Sequence, residues 1–301
     1  MRIGLVDVDG HNFPNYALMR ISAYHKQRGD EVEWAVPLKN DYDVVYKSKI
    51  FTFTPDDLTP WSGKVIKGGT GYDIESKLPP EIEAVVDLDY SIYPQHKYSL
   101  QFFSRGCIRK CPFCLVRQKE GYIHEVEPTT LNPNGKHIEV LDNNFFANPN
   151  WKKSIDWLLK ANQKVKLHGV DVRIMNEEQA YWLNQLKMEG NIHIAWDLPQ
   201  LDLTDRLKAM TKYINPKKIS CYVLIGFNST KEQDLKRVHI LKELGIQPFV
   251  QPYRDFENKR KPTQYEKDFA RWANRPALFT KMDFMEYEPR KGFFGREYFK
   301  K

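Results

Sequence analysis

The sequence predicts an α/β protein, with a small parallel-sheet domain at the N-terminus and a partial barrel of the (β/α)6 type after it. Three observations predict this. Short β-branched runs alternate with stretches whose apolar residues recur every three to four positions, a strand–helix alternation that implies parallel sheets. The alternation starts twice, once at Ile3 and again near Tyr98, on either side of an irregular stretch holding Leu78-Pro79-Pro80 and Tyr90-Ser91-Ile92-Tyr93-Pro94. The second run carries six strand–helix repeats, and six parallel strands with outer helices form an open, partial barrel. The resulting division is a first domain over 1–74, a linker over 75–97, a core over 98–275 and a basic extension over 276–301.

In the first domain Ile3 to Val8 reads as a buried strand and Asp9-Gly10-His11-Asn12 as a turn. Tyr16, Leu18, Met19, Ile21 and Tyr24 mark the apolar face of a helix that ends near Gly29. Glu31 to Val36, Asp43 to Tyr46 and Lys64 to Ile66 are three further strands. The last runs into Lys67-Gly68-Gly69-Thr70-Gly71, a glycine turn that lets backbone approach a ligand closely. Ligands of such sheets are expected beyond the strand C-termini.

The core opens with a strand over Tyr98 to Ser104, then His137 to Leu141, followed by a helix with Trp151, Ile155, Leu158 and Leu159 on one face. Lys164 to His168 and Val170 to Ile174 read as strand, with Asn176 and Gln179 capping the next helix. Ile192 to Trp196, Ile219 to Ile225 and Gln247 to Pro252 are the remaining strands. Leu203, Leu207, Met210 and Ile214 face inward from the helix after the first of these. Ser229 and Glu232 are expected to cap a helix closed by Gly245, and a last helix spans about Gln264 to Ala273.

Composition narrows the class. No apolar run in the 301 residues is long enough to span a bilayer, and the N-terminal run reads as a strand, not a signal peptide. Three clustered cysteines and a lone Cys221 are not a disulfide framework, so a reducing, cytoplasmic setting is expected. Cys221 falls mid-strand and reads as an inert core thiol. The formal charge is +7, and from Arg254 onward there are thirteen Lys/Arg against eight Asp/Glu. A basic end keeps nucleic acid open as a partner, against the plainer reading of a solvated face with interleaved acids.

The chemistry centres on Cys107-Ile-Arg-Lys-Cys111-Pro-Phe113-Cys114, at the end of the core's first strand. The spacing C-x-x-x-C-x-x-C suits a loop wrapping a metal cluster from one side. Thiolates favour iron–sulfur clusters or zinc, and three of them leave one position of a four-ligand site open. With the preceding Arg105-Gly106 and the aromatic Phe113, the motif resembles that of the radical SAM enzymes. The resemblance implies a [4Fe-4S] cluster on Cys107, Cys111 and Cys114 whose open iron chelates S-adenosylmethionine. Reductive cleavage then gives methionine and a 5′-deoxyadenosyl radical, with the electron delivered by a donor such as flavodoxin or ferredoxin. The fold implied is the partial TIM-type barrel of that superfamily.

The same resemblance assigns the later strand ends. Asp142-Asn143-Asn144-Phe145 is similar to an Asp-Asp-Asn-Phe element that accepts hydrogen bonds from the methionine amino group, against an Asn-rich turn as the plain reading. Arg173 is placed on the methionine carboxylate, against a surface pair with Asp171. Asp197 is placed on the ribose hydroxyls, against a turn cap. Gly226, Gln251 and Tyr253 are placed at the adenine and the substrate side, with core packing competing for Tyr253. Arg105, Arg109, Lys110 and Arg117 would surround an anionic cluster or hold an anionic substrate.

The first domain resembles, in shortened form, the Rossmann-like cobalamin-binding domain of one radical SAM class. Asp9, His11, Ser48, Gly68 and Gly69 fall where its motifs would, though Pro14 replaces a glycine and the unit is about one strand–helix pair short. Cobalamin is therefore compatible but not favoured, and the alternative is a shrunken domain in which Asp9 and Asn12 cap a turn. The reaction is left open among a rearrangement or dehydrogenation of a small molecule, a cobalamin-dependent methyl transfer, and modification of a nucleotide or RNA. A reading of a different class is a zinc-binding, nucleic-acid-interacting protein using the three cysteines with His124.

Overall fold

The computed structural model describes residues 1–255 and 258–300. The chain divides into two compact units, Met1–Asn143 and Asn144–Lys301. In the first, β1 (Arg2–Asp7), β2 (Glu31–Trp34), β3 (Val44–Ser48) and β4 (Lys64–Gly68) pair all-parallel in the order β2-β1-β3-β4. Each lies within two residues of the strand expected from its sequence. Helix α1 (Tyr16–Gln27) starts where the Asn15 side chain accepts the Leu18 N–H at 3.2 Å, and Gly29, at φ +80°, turns the chain after it. Its Leu18, Met19 and Ile21 bury against Ile3, Leu5, Val44 and Tyr46. Each such side chain removed from water contributes about 1.5–3 kcal/mol.

Residues 75–97, expected as a linker, send Ile82, Leu88, Ile92 and Tyr93 into the same core. They include α2 (Pro80–Glu83) and a 3-10 turn over Tyr90–Ile92. The first unit continues through β5 (Ser99–Gln101), β6 (Ser104–Arg105), α3 (Val116–Lys119), β7 (His124–Glu125) and β8 (His137–Val140). Strands β5 and β8 pair in parallel, and β6 pairs antiparallel with β7. The single strand expected over Tyr98 to Ser104 is thus two pieces. The break falls where the Phe103 N–H leaves the ladder for Asp142 Oδ1 at 2.8 Å.

The second unit holds α4 (Trp151–Ala161), β9 (Lys164–Leu167), α5 (Glu177–Gln185), β10 (Ile192–Ala195), α6 (Thr204–Thr211), β11 (Ile219–Ile225), α7 (Lys231–Glu243), β12 (Gln247–Pro252), α8 (Gln264–Ala273) and α9 (Pro276–Lys281). Strands β10, β11 and β12 form a parallel sheet in that order. The ladder between β9 and β10 shrinks to parallel bridges at Val165–Met188 and Val170–Ile194. Its cause is local. Asp171 accepts the Arg173 N–H at 3.0 Å and turns Val172–Ile174, expected as strand, into a 3-10 turn. The architecture established is therefore α/β with several parallel sheets. Among the described residues the ladders do not join six strands into one sheet.

Helix α5 has the expected Asn176–Gln179 capping box. Helix α7 is capped one residue later than expected, by Thr230 with Gln233, because the Ser229 hydroxyl accepts the Gly226 N–H instead, at 3.3 Å. The basic extension packs its aromatic residues on α8. The Phe284 ring lies 4.9 Å from Phe269 and 5.4 Å from Trp272. Asp268, fully buried, accepts from Arg290 Nη1 at 2.5 Å and the Tyr298 hydroxyl at 2.6 Å. Arg290 is thus tied to a structural carboxylate and adds little to a nucleic-acid footprint. Among the described residues no helix is long and apolar enough to cross a membrane.

Candidate functional site

The residues singled out in the sequence fall on both units. On the first, the cysteine loop leaves β6 through Gly106, whose φ of +77° and close backbone neighbours exclude a side chain. A Cβ there would lie 2.5 Å from the Tyr122 carbonyl oxygen. Cys107 and Cys111 are half-buried, and Cys114 is exposed. The Arg109 N–H points at Cys107 Sγ across 3.3 Å, and the Cys114 N–H closes a turn on the Cys111 carbonyl at 3.0 Å. Phe113 is half-buried between them. Among the described residues no three His, Cys, Asp or Glu side chains gather in a group able to hold a metal ion. The three sulfurs share one loop without converging.

What holds this loop is a residue that the sequence reading passed over. Glu120 accepts from Arg105 Nη2 at 2.7 Å, from the Gly106 N–H at 2.8 Å and from Asn143 Nδ2 at 2.8 Å. It gathers the start of the loop, its far end and the segment after β8. Its signal was legible, since Glu120 is the only acid in a run carrying Arg105, Arg109, Lys110, Arg117 and Lys119. Arg117 adds a bond from Nη1 to the Cys107 carbonyl at 3.0 Å and lies over the Tyr122 ring. Two of the arginines expected to face a cluster or substrate, Arg105 and Arg117, thus spend donors on the loop's own backbone and its acid.

Asp142 supports the same loop from beneath. Its carboxylate accepts the Phe103 N–H at 2.8 Å and the Ser104 hydroxyl at 2.5 Å, fixing the chain two residues before Gly106. Burial pushes its carboxyl up to about 6. The folded state then binds the proton more tightly than the unfolded chain. The contribution to stability is fully present below about pH 4 and is lost as pH rises through about 6. Asp142→Asn keeps an acceptor for the Phe103 N–H and is expected to remove most of that loss. Urea unfolding should show the variant's stability changing less than wild type's between about pH 4.5 and 7.5, by about 2 kcal/mol. An unaltered pH dependence would assign it elsewhere.

On the second unit the strand ends carry the other residues. Asn144 donates from Nδ2 to Asp171 Oδ2 at 3.1 Å, and Asp171 Oδ1 accepts from Arg173 Nε at 2.6 Å. Asp197, past the end of β10, is pushed above the usual carboxylate range by burial, although Arg173 and Arg237 oppose the shift. The structure brings Asn144, Asp171, Arg173 and Asp197 together. Gly226, at φ +75°, stands where a Cβ would lie 2.3 Å from Glu266 Oε1 and 2.7 Å from Arg260 Nη2. The glycine is required so that the Arg260–Glu266 ion pair (2.7 Å) can close over the end of β11. Gln251 is exposed on β12 opposite Leu224. Tyr253 meets the Phe227 ring at 4.9 Å, and its carbonyl accepts from Arg260.

Arg237 was also missed. Only 2 % exposed, it donates from Nη1 to the Trp196 carbonyl at 2.6 Å and from Nη2 to the Leu224 carbonyl at 2.9 Å. It thereby joins the ends of β10 and β11, from which Asp197 and Gly226 project. A sequence reading treats one arginine in a charged helix as solvated, and nothing in Lys236-Arg237-Val238 says otherwise.

The glycine turn and Asp9 of the first unit serve their own fold. Asp9 accepts from the Ile50 N–H at 2.5 Å and the Thr54 hydroxyl at 2.6 Å. Ser48 Oγ accepts from Asn15 at 2.8 Å, and the His11 ring lies on Trp34 at a centroid distance of 4.1 Å. At Gly69 a Cβ would lie 2.3 Å from the Lys49 carbonyl oxygen, so this turn, which starts at Gly68, approaches its neighbouring loop rather than an open cradle. These residues do not fit a corrin cofactor, and no step is drawn through one. No protein-family model matches the chain, and no curated protein matches it.

Proposed function

We propose that the chain is a radical SAM enzyme. The observation that carries the reading is the Cys107, Cys111 and Cys114 spacing on one loop that opens directly from a strand, with its start pinned by Glu120 and Asp142. Three soft donors on one side fit a cubane with an open iron better than a closed zinc site. The chemistry a [4Fe-4S] cluster supplies there is one-electron cleavage of S-adenosylmethionine to methionine and a 5′-deoxyadenosyl radical. Under this reading the six parallel strands after residue 98 form the partial (β/α)6 barrel. Cys107, Cys111 and Cys114 hold the cluster. Asn144, Arg173 and Asp197 offer an amide, a guanidinium and a carboxylate to the amino acid and ribose of the cosubstrate, with Gly226 and Gln251 beside the adenine.

The chain's own residues then have defined work. Glu120 and Asp142 fix the loop's backbone so that the thiolates need little reordering on metal uptake. Arg109 donates its N–H to Cys107 sulfur, and hydrogen bonds to cluster sulfurs raise the reduction potential. The electron donor is a small carrier of the flavodoxin or ferredoxin kind, and the compartment is cytoplasmic.

Anaerobic reconstitution with iron and sulfide tests the proposal. A brown protein with about four irons per chain is expected, by cubane stoichiometry, and 5′-deoxyadenosine should form on adding dithionite and S-adenosylmethionine. A colourless protein retaining one zinc would overturn it in favour of a thiolate site completed by His124. That residue sits on β7 paired with Arg105, its Nδ1 3.0 Å from the Tyr122 carbonyl oxygen.

A further inference from the structure

Strands β9 to β12 separate two unlike faces. On β11 Ile219, Cys221, Val223 and Ile225 are fully buried, while Tyr222 and Leu224 between them are only half-buried. The same alternation runs along β10, where Ile192 and Ile194 are buried and His193 is not, and along β12, where Val250 is buried and Phe249 is 43 % exposed. On β9 Val165 and Leu167 are buried, with Lys166 and His168 at the intervening positions. A parallel sheet sealed on both sides shows continuous apolar strands. Here only one side is sealed.

The other face has a definite chemistry. His193 stacks on Tyr222 at 5.4 Å with 26° between the rings, and Tyr222 meets Phe249 edge-on at 5.4 Å. This makes an aromatic shelf across three strands. Lys166 and His168 lie near enough to His193 to act on it electrostatically, and with burial they hold its imidazole below the usual range. His193 Nδ1 is buried with no hydrogen-bond partner, an arrangement that costs stability until something fills it. No carboxylate occupies the face positions of β9 to β12, and the first acid on that side is Asp197, beyond the end of β10.

We propose that this face binds a small molecule carrying an anionic group, carboxylate or phosphate, on a flat apolar body. The anion takes the hydrogen bond of His193 Nδ1 and the charge of Lys166, and the body lies on Tyr222 and Phe249. The inference deepens the proposed function by naming its substrate class, and it rests on that reading only for the reaction performed.

The test uses the full chain without a cluster, labelled with ¹⁵N-histidine. Phenyl phosphate, benzoate and benzyl alcohol are titrated while the imidazole resonances are followed. Either anion should move the His193 signals and bind at least about tenfold tighter than benzyl alcohol. Which of the two binds more tightly decides between phosphate and carboxylate. His193→Phe and Lys166→Met should each weaken the anion about tenfold, with His193→Gln, a hydrogen-bonding replacement, losing less. Circular dichroism checks that each variant folds. Unmoved His193 resonances, equal binding by the folded variants, or equal binding of benzyl alcohol would overturn the site. Anion binding in a protein that makes no 5′-deoxyadenosine would keep the site and sink the enzyme reading, whereas 5′-deoxyadenosine without anion binding would do the reverse.

Discussion

Replacing Cys111 by alanine is expected to abolish both iron retention and 5′-deoxyadenosine formation while leaving the fold in place. The turn at this position is made by backbone, with the Cys114 N–H on the Cys111 carbonyl at 3.0 Å, and alanine keeps it. The half-buried side chain contributes one sulfur and little packing, so the thermal midpoint should move only slightly. The iron content should fall from about four per chain to a trace, because two thiolates do not hold a cubane. Cys221→Ser supplies the contrast. Cys221 is fully buried mid-strand, and burial pushes its thiol well above the usual range, which marks it as inert. A hydroxyl there costs about 1–3 kcal/mol and should leave the iron content unchanged. S-Adenosylmethionine cleavage retained by Cys111→Ala would refute the cluster assignment outright.

The two cysteine variants also mark what the sequence could and could not show. Strand positions were legible because parallel strands are written in local pattern. The runs from Ile3, Glu31 and Lys64 each appear as strands, and Cys221 was read correctly from its place inside such a run. The breaks were not legible, because each depends on one side chain reaching a backbone group. Asp142 interrupts the strand at Phe103, over nearly forty residues of separation, and Asp171 ends the strand after Val170. Likewise the spacing of the cysteines is local, whereas their support by Glu120 needs the hairpin of β6 and β7 to bring both ends of the loop together. The charge of the C-terminal segment was visible, but Asp268 and Tyr298, which hold Arg290 inward, are twenty-two and eight residues away from it. Periodicity finds elements, and long-range polar contacts finish them.

Arg237→Leu is expected to have the largest effect on stability, about 3–5 kcal/mol. The guanidinium is paired with Asp234 Oδ1 at 2.8 Å, each side chain only 2 % exposed, and it satisfies the Trp196 and Leu224 carbonyls. Leucine fills much of the volume but leaves a buried carboxylate uncompensated and two strand-end acceptors unpaired. Burial pushes the Asp234 carboxyl up to about 6 even with Arg237 beside it, so removal of the arginine moves it higher still. A raised carboxyl gives a definite sign. The deficit should be greatest above about pH 7 and should shrink as pH falls and Asp234 takes up its proton. Asp234→Asn combined with Arg237→Leu should recover part of the loss, with a coupling of about 1–3 kcal/mol in the double-mutant cycle. The Tyr265 hydroxyl lies 3.5 Å from Asp234 Oδ2 and stays to hold that side of the helix. Urea unfolding at two pH values measures all of this. A single variant as stable as wild type at pH 7, or one whose deficit grows on acidification, would show that Arg237 does not bind the ends of β10 and β11 together. The positions of Asp197 and Gly226 would then need another support.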